Sequence, residues 1–467
     1  MNWLKSLMPR RRAGKSAVAA AKPALVRVAR EDHPISRSQL TKGTLNTLYG
    51  LKDAGYQAYV VGGGVRDLLA GKAPKDFDIA TDARPEQVRK IFRSCRTIGR
   101  RFVICHVRWG REVSEVTTFR GALTAANARD DTGRILDDND YGTLESDAFR
   151  RDFTVNALYY DIRDFAIVDY VGGLADMRAQ VIRLIGDPET RYREDPVRML
   201  RAVRIANKLR FEIESATAAA IAPLAHLLRE IPPARLFDEV IKLLQSVDGV
   251  ANLQGLHDYG LLKHLLPGVD AAFRDAQALA FINRALANTA ERIGNEQSVN
   301  PAFLYAALLW PAVQKTFAQL VADELHPNVA IHQAADVVLA KVQPHVVIPK
   351  RFSVQMREIW MLQLRLEQMP RTARARRVLS HPRFRAAYDF LLLRVAIGEL
   401  PQALGNAWTR AHHQHVATVD VSGDGVETDD AADDFPAESV DEVTSAPRKR
   451  RRRGGRNRRR SAPPAAE

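Results

Sequence analysis

Cysteine is almost missing from this chain of 467 residues: only Cys95 and Cys105 occur. That excludes a disulfide framework and a cysteine-built metal cluster, and it suits a reducing, cytoplasmic setting. Both cysteines fall in strand-like apolar surroundings, where buried free thiols are expected. Long apolar runs are missing too, none approaching the ~20 residues needed to cross a bilayer. Acids are missing from the start, where no Asp or Glu precedes Glu31. An acid-free, Arg/Ala-rich leader suits a transit peptide. Trp3 and Leu4 beside basic residues would also let it touch a membrane surface. Lys22 and Pro23 interrupt its alanine stretch, against a secretory signal. The default expectation over residues 1–37 is a disordered basic leader.

Charge of one sign is absent from each of two tail blocks. Residues 420–442 hold ten acids and no base, and 448–460 hold ten bases and no acid. These cancel, so the net charge of +14 leaves the body of the protein basic. A polyanionic partner is implied, with nucleic acid the first candidate. From about residue 416 the composition predicts a disordered tail.

The most informative stretch is Tyr59–Asp82, YVVGGGVRDLLAGKAPKDFDIATD. Tyr59 to Val61 reads as a buried strand end, followed by glycines 62–64 and by Arg66 and Asp67 on one helical turn. Asp76-Phe77-Asp78-Ile79 alternates with period two, which in a strand puts both carboxylates on one face. They would lie about 7 Å apart and repel unless a cation sits between them. A hard ion such as Mg²⁺ takes one or two carboxylates plus phosphate oxygens. Beside a glycine turn, this pair points to a nucleoside triphosphate site.

Around it, a helix is expected over residues 38–54, ending at Gly55. Another should run from Arg84-Pro85 to Phe92. Cys95–Trp109 and Arg111–Phe119 read as β-rich segments turning at Gly110. Val113, Glu115 and Thr117 share a face, so Glu115 joins the carboxylates if its strand lies beside Asp76–Asp78. Residues 121–147 read as a long loop, and Arg150 to Leu158 as the opening of a helical segment. Two arginines and Asp152 there suit triphosphate oxygens and a further metal ligand. Tyr192–Phe211 reads as one amphipathic helix with Arg198, Arg201 and Arg204 as a basic stripe. Helices continue past Pro232-Pro233 to about Gly405. In 341–394, basic residues interleave with Phe352 and Trp360, as on an RNA-contacting surface.

Four pieces stand in order along some 140 residues: Gly62-Gly63-x-Val65-Arg66-Asp67, Asp76-x-Asp78, Arg150-Arg151-Asp152-Phe153-Thr154-x-Asn156, and Glu194-Asp195-x-x-Arg198. Together they resemble the class II nucleotidyltransferases of the DNA polymerase beta-like superfamily, the bacterial poly(A) polymerases and CCA-adding enzymes. Thr97 to Val107, with Gly99-Arg100-Arg101-Phe102 and His106, looks like the segment of the poly(A) polymerase I branch. Thr97 departs from the aliphatic residue preferred there. No His-Asp phosphohydrolase signature is evident downstream.

The resemblance implies an α+β fold: a head with a mixed sheet and flanking helices over 38–172, a helical neck over 173–270, and a helical body over 271–415. The disordered tail fills 416–467. It implies addition of AMP from ATP to RNA 3′ ends without a template, with Asp76 and Asp78 holding two Mg²⁺ ions and Asp152 completing the catalytic set. On geometry alone, Glu115 rivals Asp152 for that place. Gly62, Gly63, Arg66, Arg151 and Asn156 would bind the nucleotide, and Asp195 with Arg198 would present hydrogen bonds to the base. The expected setting is a cytoplasmic monomer, with RNA-decay proteins as further partners. A CCA-adding tRNA nucleotidyltransferase is the enzymatic alternative. A non-catalytic RNA-binding protein on a transferase scaffold is the third reading, against which the intact Asp76-x-Asp78 pair argues.

Overall fold

The structure is a computed structural model that describes residues 24–99, 103–121 and 140–422. The leader up to residue 23 and the acidic and arginine-rich blocks from residue 423 lie outside the described residues, as does most of the 121–147 loop. Contacts divide the chain into Met1–Glu427 and Thr428–Glu467, and the second unit is wholly outside them.

Eight strands of the head form one sheet: β1 (Val26–Val28), β2 (Ala58–Val61), β3 (Asp78–Thr81), β4 (Cys95–Ile98), β5 (Ile104–Trp109), β6 (Glu112–Thr118), β7 (Leu158–Asp161) and β8 (Ile167–Asp169). Their order is β1-β8-β7-β2-β3-β6-β5-β4. All four residues of β2 are buried, as expected of an apolar strand covered on both faces. It pairs antiparallel with β3 and β7, while β3 pairs parallel with β6. That parallel pair needs a crossover, supplied by helix and hairpin between the two strands.

Helices α1 (Lys42–Asp53), α2 (Gly63–Leu69) and α3 (Pro85–Ile91) pack on the head. Thr41 caps α1 by accepting from the Thr44 N–H at 3.2 Å, and Pro85 opens α3 at its first position, as expected. Val60, Ile79, Val116 and Cys105 share one face of the sheet with Leu48 and Leu51 of α1 and Val65 of α2. The opposite face carries Tyr59, Val61, Ala80 and Tyr159. Period-two alternation therefore assigns Asp78, between Phe77 and Ile79, to this second face. Leu144 and Ala148 of α4 (Leu144–Arg150) cover part of it.

Several elements differ from the sequence reading. β1 lies inside the stretch expected to be a disordered leader and pairs with β8. Helix α4 rises within the expected loop, because Thr143 caps a Leu144/Ala148 apolar pair, accepting from the Ser146 N–H at 3.2 Å. Past Arg150 the chain makes only a 3₁₀ turn, Thr154–Asn156, before becoming β7. Leu158, Tyr159 and Tyr160 fit a pleated, buried surface better than a helix.

The neck follows: α5 (Gly173–Ala179), a two-stranded parallel ribbon of β9 (Val181–Ile182) and β10 (Glu212–Ile213), α6 (Pro188–Glu194) and α7 (Val197–Leu209). The single helix expected over 192–211 is two, broken at Asp195. Pro196 drives the residue before it out of the helical region, and Asp195 has φ −152°, ψ 93°. Beyond Pro232 the described chain is helical, from Pro233–Leu244 to Gln402–Ser422. Trp360 is buried there and donates to the Ala306 carbonyl at 3.1 Å, and Phe352 stacks on Phe237. Trp360 belongs to the core, while Phe352 is partly buried against it and carries the exposed Arg351 guanidinium 4.8 Å from its ring centre. No described helix is long and apolar enough to cross a membrane.

Candidate active site

The turn from β2 into α2 sets the site. Gly62 has φ +75°, ψ −135°, a conformation side chains rarely tolerate. A Cβ on Gly62 would stand 3.4 Å from Asp78 Oδ2 and 3.7 Å from Arg151 Nη1. The glycine thus lets backbone, carboxylate and guanidinium converge. Gly64 serves packing instead, since a Cβ there would meet Phe77 at 2.8 Å.

Asp78 opens β3 in register with Val61 of β2 and Glu115 of β6. Asp76 is exposed and lies two residues before β3, outside the strand that its alternation with Asp78 predicts. Burial, then the Glu115 charge, raise the Asp78 carboxyl above its usual value; Arg151 opposes them and Asp76 adds to them. Three acids therefore crowd about the start of β3, within the sheet rather than at its edge strands. Among the described residues, no three His, Cys, Asp or Glu side chains converge as a preformed metal site.

Arginines crowd the other side. Arg151 donates through Nε to Tyr159 Oη at 2.9 Å and to Asp147 Oδ2 at 3.1 Å. Asp147 is 1% exposed and also accepts from Tyr159 at 2.7 Å. Arg191 donates Nη2 to the carbonyls of Arg150 and Arg151 at 2.9 and 2.6 Å, clamping the backbone of that motif. Burial and neighbouring cations pull Arg150 down to about 9 and Arg191 down to about 10. A cluster pressed this way favours an anion.

Between the two clusters runs a continuous polar chain. Lys208 of α7 donates to Asp67 at 2.6 Å, and Asp67 accepts Arg66 Nε and Nη2 at 2.9 and 2.6 Å. Arg66 Nη1 donates to Asn156 Oδ1 at 2.6 Å, and Asn156 Nδ2 donates to Asp152 Oδ1 at 3.0 Å. Asp152 also accepts the Phe153 N–H at 2.8 Å, Arg201 Nε at 2.7 Å and Arg201 Nη2 at 2.6 Å. Burial pushes Asp152 up, but Arg201 and these donors outweigh it and hold the carboxyl well below the usual range.

Asp195 and Arg198 stand where α6 gives way to α7. Asp195 Oδ2 accepts Arg235 at 3.0 Å. Arg198 Nη1 donates to the Arg191 carbonyl at 2.7 Å and to Glu194 at 3.1 Å. Sequence reasoning did not single out Asp147, Tyr159, Arg191 or Arg235. The i, i+4 spacing of Asp147 and Arg151 was the one signal available for the first of these. A cavity of about 320 Å³ lies on the far side of α7, lined among others by Val203, Phe211 and Tyr259. Residues 201, 204 and 208 face away from it by helical spacing, so it is separate from the carboxylates.

A mixed-sheet head with paired carboxylates, a glycine turn and an arginine cluster defines a nucleotidyltransferase of the polymerase beta-like class. Residues 58–183 match the family described as the poly A polymerase head domain. Residues 210–273 match the probable RNA- and SrmB-binding site of polymerase A, and 323–460 its arginine-rich C-terminus. The chain is 48% identical to poly(A) polymerase I of Salmonella typhi over 81% of its own length and 83% of that protein's. Against poly(A) polymerase I of Haemophilus influenzae the identity is 44%, over 78% and 82%. In fold it is similar to an apo CCA-adding enzyme, with a TM-score of 0.55 at 18% identity, covering 82% of this chain and 85% of that one. The chain belongs to the poly(A) polymerase I family.

Proposed function

We propose that this site adds AMP from ATP to RNA 3′ ends without a template, with the triphosphate over Gly62, Gly63, Arg66 and Arg151 and its α-phosphorus beside Asp78. One observation carries the reading. A crowded carboxylate cluster and a crowded arginine cluster meet across Gly62, and a cation–triphosphate complex relieves both. Mg²⁺ fits, because it binds through one or two carboxylates plus phosphate oxygens and needs no all-protein cage.

Asp76 and Asp78 would hold the ions. When bound, they supply charge neutralisation and a more acidic RNA 3′-hydroxyl. For the third carboxylate, Glu115 is the better choice. Its strand lies in register beside Asp78, whereas both oxygens of Asp152 are already taken by Asn156, Phe153 and Arg201. Asp152 then acts by fixing Asn156, and through it Arg66, against the phosphates. Positioning of this kind is most of what phosphoryl-type transfer asks of a protein.

At the base, Asp195 would accept from the adenine amino group and Arg198 donate to a ring nitrogen. Head, neck and body, over 38–172, 173–270 and 271–415, would supply catalysis, base reading and RNA contact respectively. The two free cysteines suit a reducing cytoplasm, where added A-tracts would mark RNA for decay.

Purified protein given Mg²⁺, each nucleotide, a generic RNA and tRNA lacking CCA tests this. Long A-tracts on generic RNA are expected. Use of CTP with addition stopping at CCA would assign the CCA-adding alternative. RNA binding without Mg²⁺-dependent ATP consumption would leave a non-catalytic scaffold.

A further inference from the structure

One row of residues crosses the head sheet on the face that carries the site. The strand registers place Tyr159, Val61, Asp78, Glu115, His106 and Arg96 side by side on β7, β2, β3, β6, β5 and β4. Directly paired residues project from the same face. On the Tyr159 side of Asp78 stand Arg151 and the Gly62 turn, the groups suited to a triphosphate. In-line displacement puts the attacking oxygen opposite the leaving pyrophosphate. The attacking hydroxyl must therefore arrive from the other side of Asp78, over Glu115, His106 and Arg96.

What stands there suits the end of an RNA strand. His106 Nε2 is shielded from solvent and makes no hydrogen bond among the described residues. It sits 3.4 Å from Glu115 Oε1, within ion-pair reach but without hydrogen-bond alignment. The His106 side chain is 31% exposed, so a turn of the ring away from Glu115 would bring Nε2 out to a ribose hydroxyl. Arg96 is exposed at the end of the row, on the edge strand β4, placed for a phosphate. His106 also lies within Thr97–Val107, the segment whose residues resemble the polyadenylating branch.

We propose that Glu115, His106 and Arg96 seat the 3′-terminal nucleotide of the RNA primer, with His106 meeting its 2′-hydroxyl and Arg96 its 5′-phosphate. This rests on the polyadenylation reading and adds the primer side of the same site. His106 and Arg96 are primer-positioning residues, and the 2′-hydroxyl contact would let the site distinguish RNA from DNA at that position.

The test compares wild type, His106→Leu, His106→Gln and Arg96→Ala on two primers, identical except that one ends in a 2′-deoxynucleotide carrying a 3′-hydroxyl. Wild type should prefer the all-ribose primer, with a lower RNA KM. His106→Leu should lose that preference, and His106→Gln, which keeps a donor, should recover part of it. Arg96→Ala should raise the RNA KM about tenfold while leaving the ATP KM unchanged. By anisotropy without ATP or divalent ion, it should also lower the salt slope of RNA binding by about 0.7, as one lost single-strand phosphate contact would. An equal loss on both primers in His106→Leu, or a raised ATP KM in Arg96→Ala, overturns the assignment. Failure of wild type to extend any RNA would instead overturn the polyadenylation reading, and the primer seat with it.

Discussion

Asp78 shows how one side chain trades stability for chemistry. Burial and the Glu115 charge raise its folded pKa. The stability such a carboxyl contributes is present below its unfolded pKa and lost as pH rises through the folded one. At neutral pH, without a cation, the ionised group therefore works against the fold. Asp78→Asn should abolish turnover, leave RNA binding nearly intact, and raise the melting temperature of the cation-free protein by about 2 °C. Calorimetry beside a primer-extension assay checks this, and a lower melting temperature would contradict the crowding argument. Asp152 is the opposite case. Its folded pKa is depressed, so its contribution is present above the unfolded carboxylate value and fades only as pH falls toward the folded one. Asp152→Asn leaves Arg201 without its charged partner and should cost about 2 kcal/mol of stability at neutral pH, read by urea denaturation. If Asp152 were instead a metal ligand with little structural role, activity would vanish with stability unchanged.

At the scale of elements, α7 joins the neck to the head. Arg201 and Lys208 lie on one face by helical spacing, and they reach Asp152 and Asp67, the two ends of the chain that holds Arg66 and Asn156. Lys208→Ala should therefore raise the ATP KM several-fold, with a smaller effect on kcat, although Lys208 touches no substrate. Steady-state kinetics decides it, and an unchanged ATP KM would make that ion pair a surface ornament of the kind exposed lysines often form. The Gly62 turn permits a sharper expectation. Gly62→Ala strains a positive-φ position, costing about 1–3 kcal/mol, and sets a methyl against Asp78. ATP binding, followed by calorimetry, should be lost.

These elements also show what could be read in advance. Tyr59–Asp82 declared itself through the period-two acids and the glycines, because strand alternation and turn chemistry are local. Its neighbour Glu115 was legible as a candidate, but its place beside Asp78 was not, since only the parallel pairing of β3 with β6 sets it there. The 192–211 stretch read as one helix because apolar spacing persists across Pro196. The break there, which sets Asp195 outside both helices, is a backbone effect of proline on the preceding residue. Arg201 and Arg204 read only as part of a basic stripe because nothing local reveals that the head covers that face. Arg191 holds the motif from a distant segment, and Tyr159 meets Asp147 and Arg151 only because the chain turns into β7; composition and period do not register either contact.

For the whole molecule, the charge pattern predicts that part of the RNA affinity can be separated from catalysis. On the proposed reading, the head's acid and arginine clusters are completed by a cation–triphosphate. Any ligand that binds only the folded state stabilises it, by about 2.7 kcal/mol at a hundred times its Kd, so ATP with Mg²⁺ should raise the melting temperature where ATP alone does so weakly. Part of RNA capture should draw on basic residues outside the head, among them the ten bases of 448–460. Electrostatic binding of this kind scales with the number of phosphates neutralised, at a slope of about 0.7 per contact on a single strand. Deleting 448–460 should therefore weaken RNA binding and flatten its salt dependence, while kcat on a saturating primer stays within about twofold, because no residue of the head is touched. Removing the acidic block 420–442 instead should tighten RNA binding if those acids compete with RNA for the same cations. Anisotropy titrations of the two deletions across a salt series separate the effects: an unchanged slope in the first would assign the basic block to a protein partner, and unchanged affinity in the second would rule out competition.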